Sequence, residues 1–133
     1  MDKDVRSMTT IVSGSEAEKA AETMLRKAGL EILARNFQCK MGELDLIAKE
    51  VVATEITKEK TTLVFVEVRR RSHGGFGSGF DSVDYRKQQK LIRTASLYLQ
   101  QHKFFDQYPC RFDIVSVRSL SDMQWIRNAF QLR

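Results

Sequence analysis

The chain has 133 residues, 42% of them hydrophobic and 29% charged; this fits one compact core and excludes both a pair of independent domains and an unfolded polar chain. Lys and Arg number 22 against 17 Asp and Glu, a formal charge of +5 with a pI near 9.4, which favours polyanionic partners such as nucleic acid. No apolar stretch approaches the roughly 18 residues of a membrane span, and the opening MDKDVRSMTTIV lacks the apolar segment of a leader, so a cytoplasmic protein without membrane association is expected.

Residues 1–13 read as a flexible tail and residues 14–133 as a single domain. From Gly14 to Ala28, Ala17, Ala21, Met24, Leu25 and Ala28 recur at helical spacing, with Ser13 or Ser15 as the cap and Gly29 closing the end. Leu30–Cys39 and Glu43–Lys49 then predict two strands joined by a turn at Met41 and Gly42, and the polar stretch EVVATEITKEKT predicts a loop. Leu63–Val68 (LVFVEV) is apolar on both faces apart from one acid, the pattern of a strand covered on both sides in the middle of a sheet. Val83–His102 is amphipathic, with Leu91, Ile92, Ala95, Tyr98 and Leu99 on one face, and CRFDIVSV after Pro109 predicts a further strand. The tail DMQWIRNAFQL fits an edge strand or a short helix, with Trp125 and Phe130 as core contacts. The expected fold is α/β, in the order αβββαβ, with a mixed sheet flanked by helices.

Two features are excluded as sites. Cys39 and Cys110 lie far apart with no CxxC and no nearby His, which argues against zinc or a disulfide, and His73 and His102 are isolated. The Gly-rich SHGGFGSGF follows a strand and precedes a helix, yet it fits neither GxGxxG nor GxxxxGK[ST], so a nucleotide fold is rejected. A loop over a substrate groove remains, with Phe76 or Phe80 either stacking on a base or anchoring the loop to the core.

The chemistry centres on Glu67, because an ionised carboxylate inside LVFVEV needs a cation, a proton or a metal. Arg69, two residues on, shares its strand face and offers an internal pair. On the preceding strand Glu43 and Asp45 share one face, while Leu44, Leu46 and Ala48 are expected on the other. If Asp45 faces Glu67, the two acids repel unless a divalent cation lies between them; two carboxylates with water and a phosphate oxygen suit Mg²⁺. Glu18 flanks the apolar stripe of the first helix and is the third acid expected to face the sheet. Arg69, Arg70 and Arg71 run off the end of the core strand, and Arg86, Lys87, Lys90 and Arg93 line one side of the second helix. Together they read either as a surface straddling a phosphate backbone or as a solvated face.

The segments GELDLIA (42–48), LVFVEVRRR (63–71), the Val-x3-Lys-x2-Lys-Leu run at Val83–Leu91, CRFDIV (110–115) and NAF (128–130) resemble the YraN family of small bacterial proteins. The resemblance extends from Gly14 to Phe130. It implies a restriction-endonuclease-like fold of the PD-(D/E)XK nuclease superfamily, similar to archaeal Holliday junction resolvases. Asp45 and Glu67 then take the places of the two superfamily acids, and Glu18 that of the helix acid. The implied activity is Mg²⁺- or Mn²⁺-dependent phosphodiester hydrolysis of DNA, branched or junction DNA included, by a homodimer. In it Asp45, Glu67 and the Val68 carbonyl hold the metal, Glu18 orients a water, Arg69 contacts the phosphate and Glu43 gives weaker support. The superfamily pattern carries Lys where this chain has Arg69, and a guanidinium clamps phosphate without releasing a proton. A non-catalytic nucleic-acid-binding or adaptor module with the same fold is therefore the alternative.

Overall fold

The computed structural model describes residues 13–56, 58–71, 83–103 and 107–131; residues 1–12, 57, 104–106 and 132–133, and residues 72–82 with the Gly-rich stretch carrying His73, Phe76 and Phe80, lie outside them. Within these residues the order is α1 (Gly14–Lys27), β1 (Glu31–Cys39), β2 (Gly42–Val52), β3 (Lys60–Arg70), α2 (Tyr85–Gln101), β4 (Cys110–Ser119) and β5 (Asp122–Phe130). The C-terminal tail is thus a strand, extending the expected order by one element. The sheet runs β1-β2-β3-β4-β5, with β3 and β4 parallel and the other neighbours antiparallel. β2 and β3 also reach into the polar stretch expected as a loop, pairing as far as Val52 with Lys60.

Helix α1 starts in a capping box: the Ser13 hydroxyl accepts from the Glu16 N–H at 3.3 Å and the Glu16 carboxylate accepts from the Ser13 N–H at 2.9 Å, satisfying two otherwise orphaned donors. Its end turns at Gly29, whose φ of 97° lies in the left-handed region that a side chain resists. Asp84 caps α2, accepting from the Lys87 N–H at 2.9 Å.

Two apolar layers hold the helices to opposite faces of the sheet. Ala17, Ala21 and Leu25 of α1 pack on Leu46, Val64, Val66 and Val115. On the other face, Leu91, Ala95 and Tyr98 of α2 pack on Leu44, Ile47, Phe65 and Phe112. Phe65 meets the Tyr98 ring edge-on at 6.2 Å and stacks with Phe112 at 5.3 Å, and Phe112 stacks on Phe130 at 4.8 Å. Each such side chain contributes about 1.5–3 kcal/mol by leaving water. The five consecutive buried residues Leu63–Glu67 on β3 follow from its central position, which covers both of its faces.

One expectation about β2 is corrected. Leu44 does not share a face with Leu46 and Ala48: it packs in the α2 layer with Ile47, while Leu46 and Ala48 pack in the α1 layer. The spacing of two is broken around Asp45. The β2–β3 ladder runs from Val52–Lys60 up to Leu46–Val66 and its register goes no further toward Asp45 and Glu67. On the other flank, Arg35 and Phe37 pair with Leu46 and Leu44, and between them Asn36 takes a left-handed φ of 50°. Freed from regular pairing, Asp45 can turn its side chain along the sheet plane toward β3.

Candidate functional site

Asp45 and Glu67 meet where these strands part. The Asp45 Oδ2 accepts a hydrogen bond from the Val68 N–H at 2.7 Å, so the carboxylate occupies the flank where the next ladder bond would form. Glu67 is buried, 6% exposed. Both of its cations reach one oxygen: Lys87 Nζ stands 3.0 Å and Arg69 Nη1 3.3 Å from Oε2. Oε1 lies outside both of these ion pairs.

Electrostatics sets Asp45 apart. Its burial, first, and the neighbouring Glu67 carboxylate, second, push its pKa up to about 8 from 3.8, against the opposing Val68 hydrogen bond. Burial, first, and the charges of Glu43 and Glu67 likewise raise Glu18 from its ordinary value. The Glu22 carboxylate behaves in the opposite sense: Arg35, with Arg26, pulls it down to about 2.

The acid pair lies in a cleft of about 490 Å³ lined by Cys39, Lys40, Met41, Gly42, Glu43, Asp45, Glu67, Val68, Lys87, Lys90 and Leu91. One wall is the β1–β2 turn and the other the first turns of α2. The two walls are held together at Gly42, where a Cβ would come within 3.1 Å of the Thr94 Oγ1. Glu43, at the rim, is exposed and accepts from the Gln38 side chain at 2.9 Å. Glu18 lines a neighbouring cleft with Ser15, Lys19, Glu22, Thr23, Arg35, Asn36 and Leu46. It is close enough to raise the pKa of Asp45 by its charge, yet among the described residues no three His, Cys, Asp or Glu side chains form a set that could hold a metal ion. Any cation here would rest on the two carboxylates and backbone or solvent oxygens.

The basic residues divide. Lys87 and Lys90 line the acid cleft. Arg86 and Arg93 are exposed on α2, and Arg70 is exposed at the end of β3. Arg71 is turned toward β5, its guanidinium 2.8 Å from Asp122 Oδ1, while its N–H donates to the Val117 carbonyl at 2.9 Å. His102 packs its ring on Tyr98 at 4.2 Å, and the two cysteines are half-buried and unbridged.

A second charged centre was not legible as one. Asp113, fully buried on β4, accepts from Arg111 Nε at 3.0 Å, from Trp125 Nε1 at 3.0 Å and from the Asn128 N–H at 2.9 Å. Arg111 also reaches Glu50, which holds Arg127 at 2.8 Å on its other oxygen, and the Arg127 guanidinium lies 3.9 Å above the Trp125 ring. Asn128 takes a left-handed φ of 54°, the bulge that aims its N–H at Asp113. These bonds satisfy the buried acid and stitch β5 to the sheet. Its only sequence signal was an acid inside the apolar run CRFDIV.

No helix among the described residues is long and apolar enough to cross a membrane. The model of the uncharacterised protein family UPF0102 matches residues 17–117, from within α1 to most of the way along β4. A UPF0102 protein of Pseudomonas putida is 42% identical over 93% of this chain and 99% of its own length. One of Stutzerimonas stutzeri is 45% identical over 90% of this chain and 94% of its own, and one of Pseudomonas entomophila is 42% identical over 90% and 93%. With the segments GELDLIA and LVFVEVRRR carrying the acid pair, the chain belongs to the UPF0102 family, the YraN family of the sequence resemblance.

Proposed function

We propose that this protein is a metal-dependent endonuclease acting on DNA. The observation that carries the reading is the pairing of half-buried Asp45 with buried Glu67, set in a cleft whose other charged lining is Lys40, Lys87, Lys90 and Glu43. Burial, first, and the neighbouring Glu67 carboxylate push Asp45 up to about 8; such a pair suits a divalent cation, which replaces the proton and relieves the repulsion. The residues present fit Mg²⁺ or Mn²⁺: Asp45 and Glu67 would hold it, together with the Val68 carbonyl, which strand geometry turns to the same flank as the Val68 N–H that meets Asp45. When bound, the ion supplies a Lewis acid and a water acidified toward neutral pH.

The rest of the work falls to the chain. Arg69 holds Glu67 through its ion pair at 3.3 Å and adds positive potential for the charge that develops on the phosphate, and Glu18 orients the attacking water from the neighbouring cleft. Arg70, Arg86, Lys90 and Arg93 draw in the flanking phosphates. A homodimer would supply two such sites for cutting paired strands, and a DNA substrate goes with a cytoplasmic location. The test is a labelled panel of four-way junction, flap, single-stranded and duplex DNA, plus RNA, with Mg²⁺ and Mn²⁺, with Glu67→Ala as the blank. Cleavage that vanishes in the blank supports the reading; no cleavage of any substrate sinks it.

One observation favours a second reading, a nucleic-acid-binding or adaptor module: Arg69 donates hydrogen bonds but gives up no proton. Under it, the parent shows salt-sensitive binding without cutting, and Arg69→Lys creates an activity the parent lacks.

A further inference from the structure

We propose that Lys87, delivered from the first turn of α2, is a catalytic residue of the acid cleft and not one more cation of the DNA-binding face; the proposal rests on the nuclease reading above. Its ammonium shares Oε2 of Glu67 with Arg69, at 3.0 Å against 3.3 Å. The two cations differ in what they face. Lys87 lines the cleft with Asp45, Glu67 and Val68, and its side chain keeps 40% of its surface, whereas Arg69 is not among the lining residues. A phosphate brought to the acid pair therefore meets Lys87.

The position also runs against local preference. The first turn of α2 carries no acid and holds Arg86 and Lys87 instead, although the positive end of the helix dipole disfavours cations there. Glu67 offsets that for Lys87. The placement is rigid on both sides of the contact: the Lys87 N–H is tied to the Asp84 cap at 2.9 Å, and the close seat of Gly42 on Thr94 sets the height of α2 above the turn leading to Asp45. An ammonium held at the edge of the cleft, beside the carboxylates that would hold the metal, is preorganised for charge that grows on a phosphate oxygen during attack.

In the step proposed, a water oxygen forms its bond to phosphorus as the bond to the leaving sugar oxygen breaks. The water loses one proton to solvent and the leaving oxygen gains one from it. Lys87 remains an ammonium throughout, hydrogen-bonded to a non-bridging phosphate oxygen and drawing away from Glu67 as it does so. It moves no proton, so Arg is expected to replace it in part.

The experiment compares Lys87→Met, Lys87→Arg and the parent, all checked for unchanged melting temperature. It follows single-turnover cleavage of the best substrate in the panel, DNA binding against salt, and Mn²⁺ titration by calorimetry without DNA. The expected result is a fall of about a hundredfold or more in the cleavage rate for Lys87→Met, with DNA affinity and its salt slope little changed and a partial recovery of the rate in Lys87→Arg. Mn²⁺ should bind Lys87→Met more tightly than the parent, since the competing ammonium has left Glu67. A cleavage rate within threefold of the parent, with the salt slope lower by about 0.9, would return Lys87 to the binding face. Unchanged Mn²⁺ affinity would also overturn the proposal, and this arm needs no cleavage. A parent that cuts nothing while Lys87→Met tightens Mn²⁺ defeats the nuclease reading and leaves Lys87 a partner of the metal-holding carboxylate alone.

Discussion

The Val68 N–H, one residue beyond Glu67 on the central strand, is bonded to the Asp45 carboxylate at 2.7 Å, in the place where a ladder partner on β2 would ordinarily receive it. A side chain has replaced the main chain at the point where β2 and β3 part. The strand opening and the acid pair are thus one feature: regular pairing that continued past Leu46 and Val66 would bring the β2 backbone to the position Asp45 now fills.

The first prediction concerns pH. The Asp45 carboxyl is raised from 3.8 to about 8 in the folded protein, so the folded state holds a proton that the unfolded chain has released. Its contribution to stability is full below pH 4 and is lost as pH rises through about 8. In metal-free protein, Asp45→Asn should therefore raise the melting temperature at pH 9 relative to the parent, by roughly 3–6 °C for each 1 kcal/mol relieved, with little effect near pH 4. Thermal melts across pH 4–9 in chelator check this, and a parent-like pH profile for the variant would refute it.

Metal should act on the same proton. Addition of Mn²⁺ at pH 7 is expected to release protons from the parent, because Asp45 must ionise to bind, and to raise its melting temperature. Calorimetry in two buffers of different ionisation heat measures the proton count, which should fall to near zero in Asp45→Asn.

The basic residues should separate by role. Arg86→Ala with Lys90→Ala removes two exposed cations and should lower the salt slope of duplex binding by about 1.8. Arg71→Ala should leave that slope in place and cost stability instead, since Arg71 is spent on Asp122 and half-buried. Filter binding at several salt concentrations, beside a melt of each variant, distinguishes them.

The Asp113 centre should be structural. Asp113→Ala strips the acceptor from Arg111, Trp125 and Asn128 at once and is expected to cost about 3–5 kcal/mol. Chemical denaturation measures it; a loss under about 1 kcal/mol would contradict the account of this network.

Gly42→Ala tests the closeness of the cleft walls. The new methyl would press on Thr94 Oγ1 from 3.1 Å, so we expect a loss of about 1–2 kcal/mol and its partial recovery on adding Thr94→Ala, which removes that oxygen together with its bond to the Lys90 carbonyl at 2.8 Å.

Much of this architecture was legible in the residues. The doubly apolar LVFVEV announced a central strand, the 3.6-residue stripes of α1 and α2 announced which sides they bury, and the acid inside LVFVEV announced that Glu67 needed a partner. These are local signals: burial imposes a period on each element, and each element can be read without its neighbours. The DMQWIRNAF segment was ambiguous because its apolar residues fit both periods; it became a strand because β4 offered it an edge to pair with.

What the tertiary structure decided lies between elements. The split of Leu44 from Leu46 depends on where the β2–β3 ladder stops, which the alternation of β2 alone does not show. Lys87 looked like one charge of a helix face, and only the crossover from β3 through α2 brings it to Glu67. Arg71 looked like the third of a basic run, and the position of the β4–β5 turn gave it Asp122. In each case the sequence by itself determined the chemistry available, since residue types and local periods are carried along the chain. Which charge meets which was decided by the packing of whole elements, because a buried carboxylate takes the cation that the fold brings within reach, whatever lies beside it in sequence.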